Sequence, residues 1–547
     1  MLTHISRILV SCFVFFAFSG AAQSESFEEL KSLELMDQIY EHLDMYFVDE
    51  VAHGKLSKTA IDAMLKELDP YTVYYHEANI EDYRLMTTGQ YGGIGALIGK
   101  IDNDVYITDP YEGNPAQKAG LEAGDKILRI DKKSFLGKSV EEVSNALKGP
   151  KGTSLSIDIE RLGKVLTFEL IRDEIKIPDV PFADMLSEKT GYIALSSFTQ
   201  TASEEIKKNL IRLQEQGMEN LILDLRGNGG GLLMEAVKIV GFFVPKGQIV
   251  VTTKGRSAQE NMVYKTPDAP IAEKMPMVVL IDEGSASASE IVAGALQDLD
   301  RAVIIGSTSY GKGLVQRTFD LKYGSKMKLT IAKYYTPSGR CVQRLEYYDD
   351  ANNGKPKEIP DSLLQRFNTK NGRVVIDGRG IEPDIKIADS VYSDYTRSLI
   401  SKNMIFHYAT EYRNAHAAID SANRFALTED DMKGFNAFIA SKGYTYTSPE
   451  VRALEKIKSE LEKKQHFDEL KTEFNALNDK LNNQSSTYFN QNKMEIKSLL
   501  EHEIIGRYYF QKGQSVYGFR SDEVVTKSVA ILNDPVQYKS ILKITRD

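Results

Sequence analysis

From Phe27 onward, Leu30, Leu33, Met36, Ile39, Tyr40 and Leu43 recur at three- and four-residue steps among Glu, Asp and Lys, which is the spacing of an amphipathic helix. A second helical stretch, Lys58 to Leu68, stops at Asp69-Pro70, since a proline biases the residue before it away from helical backbone. Next comes the Gly-rich run Gln90-Tyr91-Gly92-Gly93-Ile94-Gly95-Ala96. Short apolar alternations and turns follow to about Arg172 and predict a small, mostly β domain. After the linker Pro178 to Pro181 the period changes. Asn220 to Leu225, Met277 to Ile281 and Ala302 to Ile305 are short apolar runs with β-branched residues, separated by helical stretches. This alternation predicts a mainly parallel sheet with crossover helices, whose ligands gather at the carboxyl ends of the strands. Beyond Asp384 the chain is charged and helical. Ser448-Pro449-Glu450 reads as a helix start, and Leu454, Ile457, Leu461, Phe467, Leu470, Phe474, Leu477 and Leu481 form a near-heptad stripe. The stripe predicts a helix packed on its own domain, with a dimer seam as the alternative.

The length of 547 residues divides this pattern into three or four domains. A net charge of -9 supplies no basic field for nucleic acid or anionic lipid. Two cysteines, Cys12 and Cys341, build no disulfide framework, and no Cys/His pair has zinc-ligand spacing. Arg7, the apolar run Ile8 to Phe18 and the small residues Gly20-Ala21-Ala22 read as a secretory signal peptide cut after Ala22. That run is shorter than the roughly 20 apolar residues of a spanning helix. No later stretch is long and apolar enough to span either.

Each strand of the expected parallel sheet ends in an unusual loop: Asp224-Leu225-Arg226-Gly227-Asn228-Gly229-Gly230-Gly231, Gly284-Ser285-Ala286-Ser287-Ala288-Ser289-Glu290, and Gly306 to Gly313 with Gly311-Lys312-Gly313. Singly, these read as turns, a helix N-cap and a solvated lysine. Parallel strands bring all three to one crevice. The third loop fits G-x-x-x-x-G-K, yet Gly313 stands where a phosphate loop needs Ser or Thr for magnesium. Strand-like residues follow it, where a phosphate site needs a helix N-terminus. The second loop leads into a helix, whose N-terminal field and free N–H groups suit a serine nucleophile and an oxyanion. No histidine lies between Glu77 and Phe406. The serine's base is then a lysine made neutral by burial, and Lys312 is the candidate.

These motifs resemble the C-terminal processing (tail-specific) serine proteases, a family with a Ser/Lys dyad and a PDZ domain. The resemblance implies Ser287 as nucleophile, Lys312 as base, and Gln316 as the group that holds the lysine amine. It implies an oxyanion hole from the amides of Ala288 and Gly230, with the adjacent Gly229 left open as an alternative. Asp298 matches an acidic position of the family. It lies about 16 Å along the helix from Ser287 and reads as structural support. Tyr91 to Ala96 resembles a PDZ carboxylate-binding loop, with Gly93, Ile94 and Gly95 presenting amides to a terminal carboxylate while the peptide adds as a strand.

The expected architecture is multidomain α/β: a mainly parallel, ClpP/crotonase-like protease core, an inserted PDZ domain and helical terminal regions. The expected divisions are a signal peptide (1–22), an N-terminal helical region (23–86), the PDZ domain (87–177), the protease core (178–386) and a C-terminal helical extension (387–547). The implied function is an exported, periplasmic or cell-envelope endopeptidase. It recognises free C-terminal tails of proteins and needs no metal or cofactor. A homodimer and an adaptor protein are both compatible with the sequence. The competing function is a non-catalytic PDZ scaffold on a protease fold.

Overall fold

The computed structural model describes residues 27–76, 80–347, 355–388, 391–464, 466–482 and 485–544. The export segment assigned to residues 1–22 lies outside the described residues. The chain falls into two compact units, one through Tyr74 and one from Tyr75. In the first, a helix over 27–46 precedes helix His53–Lys66, and Tyr40 and Ser57 share a hydroxyl hydrogen bond of 2.8 Å between them. The Asp69-Pro70 stop is a turn in which the Asp69 carboxylate accepts the N–H groups of Tyr71 and Thr72 at 2.8 Å.

The second unit is built around a six-stranded sheet. Its spatial order follows the chain: Phe182–Met185, Thr190–Ala194, Asn220–Asp224, Met277–Ile281, Val303–Gly306, Ile385–Lys386. The first strand is antiparallel to its neighbour, and all other neighbours are parallel. The three apolar runs form three of the four interior strands, with every residue of theirs buried. When strand order is sequential and crossovers are right-handed, the crossover helices fall on one face. Helices Ala202–Glu215, Leu233–Gly241 and Ala288–Asp298 accordingly pack on Ile193, Leu221, Leu223, Met277, Val279, Ile281 and Ile304. The alternate residues, Tyr192, Ile222, Val278, Leu280, Val303 and Ile305, point the other way. They are covered by Val525, Ile531, Leu532, Tyr538 and Leu542 near the chain's end.

A second sheet contains the antiparallel strands Ile249–Gly255, Val263–Lys265, Leu314–Asp320 and Lys326–Tyr335. The mostly β region is an antiparallel sheet of Ala96–Ile101, Asp104–Pro110, Lys126–Ile130, Ser154–Arg161 and Lys164–Ile171, in that spatial order. Ala96–Ile101 is an edge strand. Helix Val140–Leu147 lies against it, its start closed by a reciprocal Ser139–Glu142 cap.

The C-terminal helices carry their own core, including Tyr395, Leu399, Phe435, Ile496, Leu500 and Ile504. Ser448 caps the expected helix by accepting the Val451 N–H. The near-heptad stripe forms two helices, Pro449–Lys463 and Phe467–Asn482. They pack on each other, with Lys458 over the rings of Phe467 and Phe474. Among the described residues no helix is long and apolar enough to cross a membrane.

Candidate active site

Three parallel strands end at one edge, and their loops are stitched together there. The Gly227 N–H donates to Asp282 Oδ1 at 2.8 Å, and the Asn228 carbonyl accepts the Ala286 N–H at 3.0 Å and the Ser289 hydroxyl at 2.9 Å. The Tyr310 N–H donates to the Ser285 carbonyl at 3.0 Å.

Ser287 occupies the turn between strand Met277–Ile281 and helix Ala288–Asp298, at φ 56° and ψ -110°. A non-glycine residue there is strained, and such strain persists only where the surroundings over-determine it. They do so here. The Ser287 N–H donates to Glu290 Oε2 at 2.8 Å, and its carbonyl accepts the Ile291 N–H and the Tyr334 hydroxyl at 2.9 and 3.1 Å. Burial pushes the Tyr334 phenol well above its ordinary pKa, so it stays a donor.

Glu290 is the central group that sequence reasoning missed. Its side chain is fully buried. Oε1 accepts the Ser309 hydroxyl and the Gly311 N–H at 2.6 and 2.7 Å, while Oε2 accepts the Lys312 and Ser287 N–H groups, both at 2.8 Å. One carboxylate therefore joins the serine loop to the lysine loop. Burial raises the Glu290 pKa, against these four hydrogen bonds, which favour the anion. The local signal was present as Ser-x-x-Glu before an apolar helix, but its reach to residues 309–312 is not local.

Ser287, Lys312 and Gln316 line one cleft of about 550 Å³, with Gly229, Gly230, Leu232 and Leu233 on one wall and Tyr83, Met86 and Thr87 on another. The last three belong to helix Ile80–Thr88, which the sequence did not connect to the site. Lys312 is half-buried. The Gln316 side-chain amide donates to Thr330 Oγ1 at 3.2 Å.

Gly230 presses on the serine turn. At φ 99°, a Cβ there would lie 2.7 Å from the Ala286 carbonyl oxygen, 2.8 Å from Ser287 Cβ and 2.9 Å from the Ala288 nitrogen. The Gly230 N–H, one of the two amides expected in the oxyanion hole, donates here to Asn228 Oδ1 at 2.9 Å. Asn228 is itself fully buried, with its amide on the Leu195 carbonyl. The N–H groups of Ala288 and Gly229 make no hydrogen bond among the described residues. Gly230→Ala is expected to cost about 1–3 kcal/mol of stability through overpacking and backbone strain. It should also displace Ser287, so denaturant unfolding and reporter cleavage should fall together.

Asp298 lies at the far end of helix Ala288–Asp298. It is held by Arg340 at 2.9 Å, by the Thr336 hydroxyl and by the Ser338 N–H, and both ion-pair side chains are buried. This is a structural ion pair, as its distance along the helix predicted. The lysine loop leads into strand Leu314–Asp320, not into a helix. A phosphate loop's N-terminal amides are therefore missing, and the nucleotide reading fails on backbone geometry. Among the described residues no three His, Cys, Asp or Glu side chains gather as metal ligands.

Gly93 ends strand Gln90–Gly93, Ile94 is buried, and Gly95 turns the chain at φ 72°. A Cβ at Gly95 would lie 2.4 Å from Asn114 Cβ. The carbonyls of Ile94 and Gly95 accept the Ala116 and Tyr111 N–H groups, while their own N–H groups make no hydrogen bond among the described residues. These open amides stand next to the edge strand Ala96–Ile101.

Comparison with known proteins agrees with this layout. Residues 189–351 match the model of Peptidase family S41, residues 106–161 that of the PDZ domain, and residues 395–532 that of the "Probable PDZ-protease, C-terminal helical domain". A Staphylococcus aureus (strain N315) protein named "Probable CtpA-like serine protease" is 31% identical over 437 residues, covering 80% of this chain and 85% of the relative. The carboxy-terminal-processing protease of Bartonella bacilliformis is 37% identical over 319 residues, 57% of this chain and 73% of its own. Among solved structures, a photosystem II D1 C-terminal processing protease is 27% identical, covering 65% of this chain and 88% of that one, with a TM-score of 0.37. A serine on a strained turn, a lysine loop tied to it and a PDZ domain thus sit on a chain that belongs to peptidase family S41, among the PDZ-containing serine proteases of the carboxy-terminal-processing type.

Proposed function

We propose that the protein is an exported serine endopeptidase that captures the free C-terminal tail of a protein on its PDZ domain and cleaves upstream with a Ser287/Lys312 dyad. Lys312, as the neutral amine, takes the Ser287 Oγ proton while Oγ bonds to the scissile carbonyl carbon. The protonated lysine then returns that proton to the leaving amine as the C–N bond breaks. Water attacks the resulting acyl-enzyme, with Lys312 again taking and returning a proton. The Ala288 N–H and an N–H of the glycine loop bind the oxyanion. Gly229 offers an open N–H there, and Gly230 serves once its N–H leaves Asn228. Gln316 steadies the lysine amine from the same cleft wall.

The observation that carries this reading is Glu290, which binds the backbone N–H of both Ser287 and Lys312 and so presets the two reacting loops. The sequential strand order of the core supports a ClpP/crotonase-like fold. The Arg7-to-Ala22 pattern supports export to the periplasm or cell envelope. The open amides of Ile94 and Gly95 and the free edge of Ala96–Ile101 support tail capture by strand addition.

The test is cleavage of a denatured reporter bearing an apolar tail, followed by mass spectrometry, with the tail ending in a free carboxylate or in an amide. The free-carboxylate reporter should be cleaved faster, through a lower KM, because an amide forfeits the charge that the loop's N–H groups attract. Equal KM for the two tails would remove the PDZ domain's proposed role. Tail binding with no cleavage by the wild type would favour the scaffold.

A further inference from the structure

We infer that Asp522, in the C-terminal helices, is a positioning residue for the proteolytic step, holding the glycine loop in place through Arg226. The inference rests on the protease reading above and concerns a residue nearly 300 positions away from that loop in sequence.

The argument starts from the bare face of the sheet. With every crossover helix on the opposite side, Tyr192, Ile222, Val278 and Leu280 need a cover, and the last helices, Glu523–Leu532 and Pro535–Ile541, provide it. Phe519 sets their position at the glycine-loop side, meeting Tyr192 edge-on at 4.7 Å and Phe182 at 5.4 Å. Tyr538 does so at the opposite ends of the strands, where its hydroxyl bridges the N–H and carbonyl of Met277 at 3.1 Å each.

Asp522 begins the first of these helices. Its Oδ1 accepts the Val525 N–H at 3.0 Å, which is the ordinary work of an N-cap. Its Oδ2 is left for Arg226 Nη2 at 2.8 Å. The Arg226 guanidinium also grips Asp224, with Nε at 3.0 and 2.9 Å and Nη2 at 2.5 Å. Asp224 is the buried last residue of the interior strand Asn220–Asp224 and also accepts the Tyr192 hydroxyl, so that contact ties Arg226 to the sheet. The bond to Asp522 adds a second hold on the same guanidinium, from the C-terminal helices.

What the bond holds is the loop itself. Arg226 is followed by Gly227, Asn228, Gly229 and Gly230, which have no helix or strand of their own. Gly230 touches the Ser287 turn, and the open Gly229 N–H is next to it. A loop of glycines has many conformations to lose. Gly227 and Asn228 are held to Asp282, Ala286, Ser289 and Leu195, and a tether on Arg226 at the loop's entry acts together with those bonds on where the loop's N–H groups stand when the oxyanion forms.

The experiment uses the full mature chain as wild type, Asp522→Asn, Asp522→Glu and Ser287→Ala. Cleavage of the reporter gives kcat and KM, anisotropy of a labelled tail peptide gives PDZ binding, and thermal melting gives stability. Asparagine is as good an N-cap as aspartate, but it has a single acceptor oxygen and no charge, so it serves the cap or the arginine and not both. Asp522→Asn should melt close to the wild type, bind the tail equally and lose about tenfold in kcat. Asp522→Glu, which keeps the charge, should recover part of that loss. The inference is overturned by a wild-type kcat in Asp522→Asn, or by a loss of rate that only tracks a loss of folded protein. A wild type no faster than Ser287→Ala overturns the protease reading itself, a result distinguishable from either.

Discussion

Ser287→Ala and Lys312→Ala each reduce reporter cleavage by about 10⁴-fold or more, and the double variant is no slower than either single one. Non-additivity is expected because the two groups share one proton. The residues that set the backbone survive both changes. Alanine at 287 keeps the N–H that Glu290 binds, and alanine at 312 keeps the N–H that reaches the same carboxylate. Both variants should therefore melt near the wild type and still bind a tail peptide, which separates lost chemistry from lost fold. Lys312→Arg is equally inactive in this account, because a guanidinium stays protonated and cannot serve as a base. Denatured reporter, mass spectrometry and an initial-rate comparison suffice, and substantial cleavage by either alanine variant would remove the dyad.

Glu290→Ala has the second largest effect, and on a different axis. Four donors converge on this carboxylate. Deleting it strands all of them in the interior, a loss of about 3–5 kcal/mol by comparison with other buried polar groups left without their partner. Urea unfolding should register that loss, and cleavage should vanish because the serine turn and the lysine loop are no longer joined. Glu290→Gln fits the same space but points an NH₂ group at two of the four donors. It should lie between alanine and the wild type in stability while remaining far below the wild type in rate. A Glu290→Gln enzyme with unchanged unfolding and unchanged rate would show that the bridge does not govern the site.

The parts of the fold that were legible are those written locally. The β-branched runs at 220, 277 and 303 became the buried parallel strands, and parallel direction alone brought their three loops together, so Ser287, Lys312 and Gln316 share a cleft. Ser448 capped its helix because a cap is a property of four neighbouring residues. The stripe from Leu454 to Leu481 misled, since a heptad pattern reads the same whether a helix continues or folds back on itself. Long-range partners were invisible for a simpler reason. Nothing near Glu290 says that residues 309–312 will donate to it, nothing near Arg226 names Asp522, and the side-chain choice of Asn228 decides which glycine N–H is open. The covering of the cleft by Tyr83 and Met86 depends on where helix Ile80–Thr88 comes to rest, which no residue within that helix specifies.

The sheet's second face has a consequence in time. Val525, Ile531, Leu532 and Tyr538 are synthesised roughly 220 to 350 residues after the strand residues they cover. Closing contacts of such separation is slow, because a long loop must be ordered before any contact rewards it. Until then Ile222, Val278, Leu280 and Ile305 face water on one side, and Arg226 has no Asp522 to meet. A growing chain thus already carries its serine and its lysine while the layer behind them is still missing. Completion of the sheet waits for residues 523–542, and the tether of Arg226 on Asp522 forms only once they are in place.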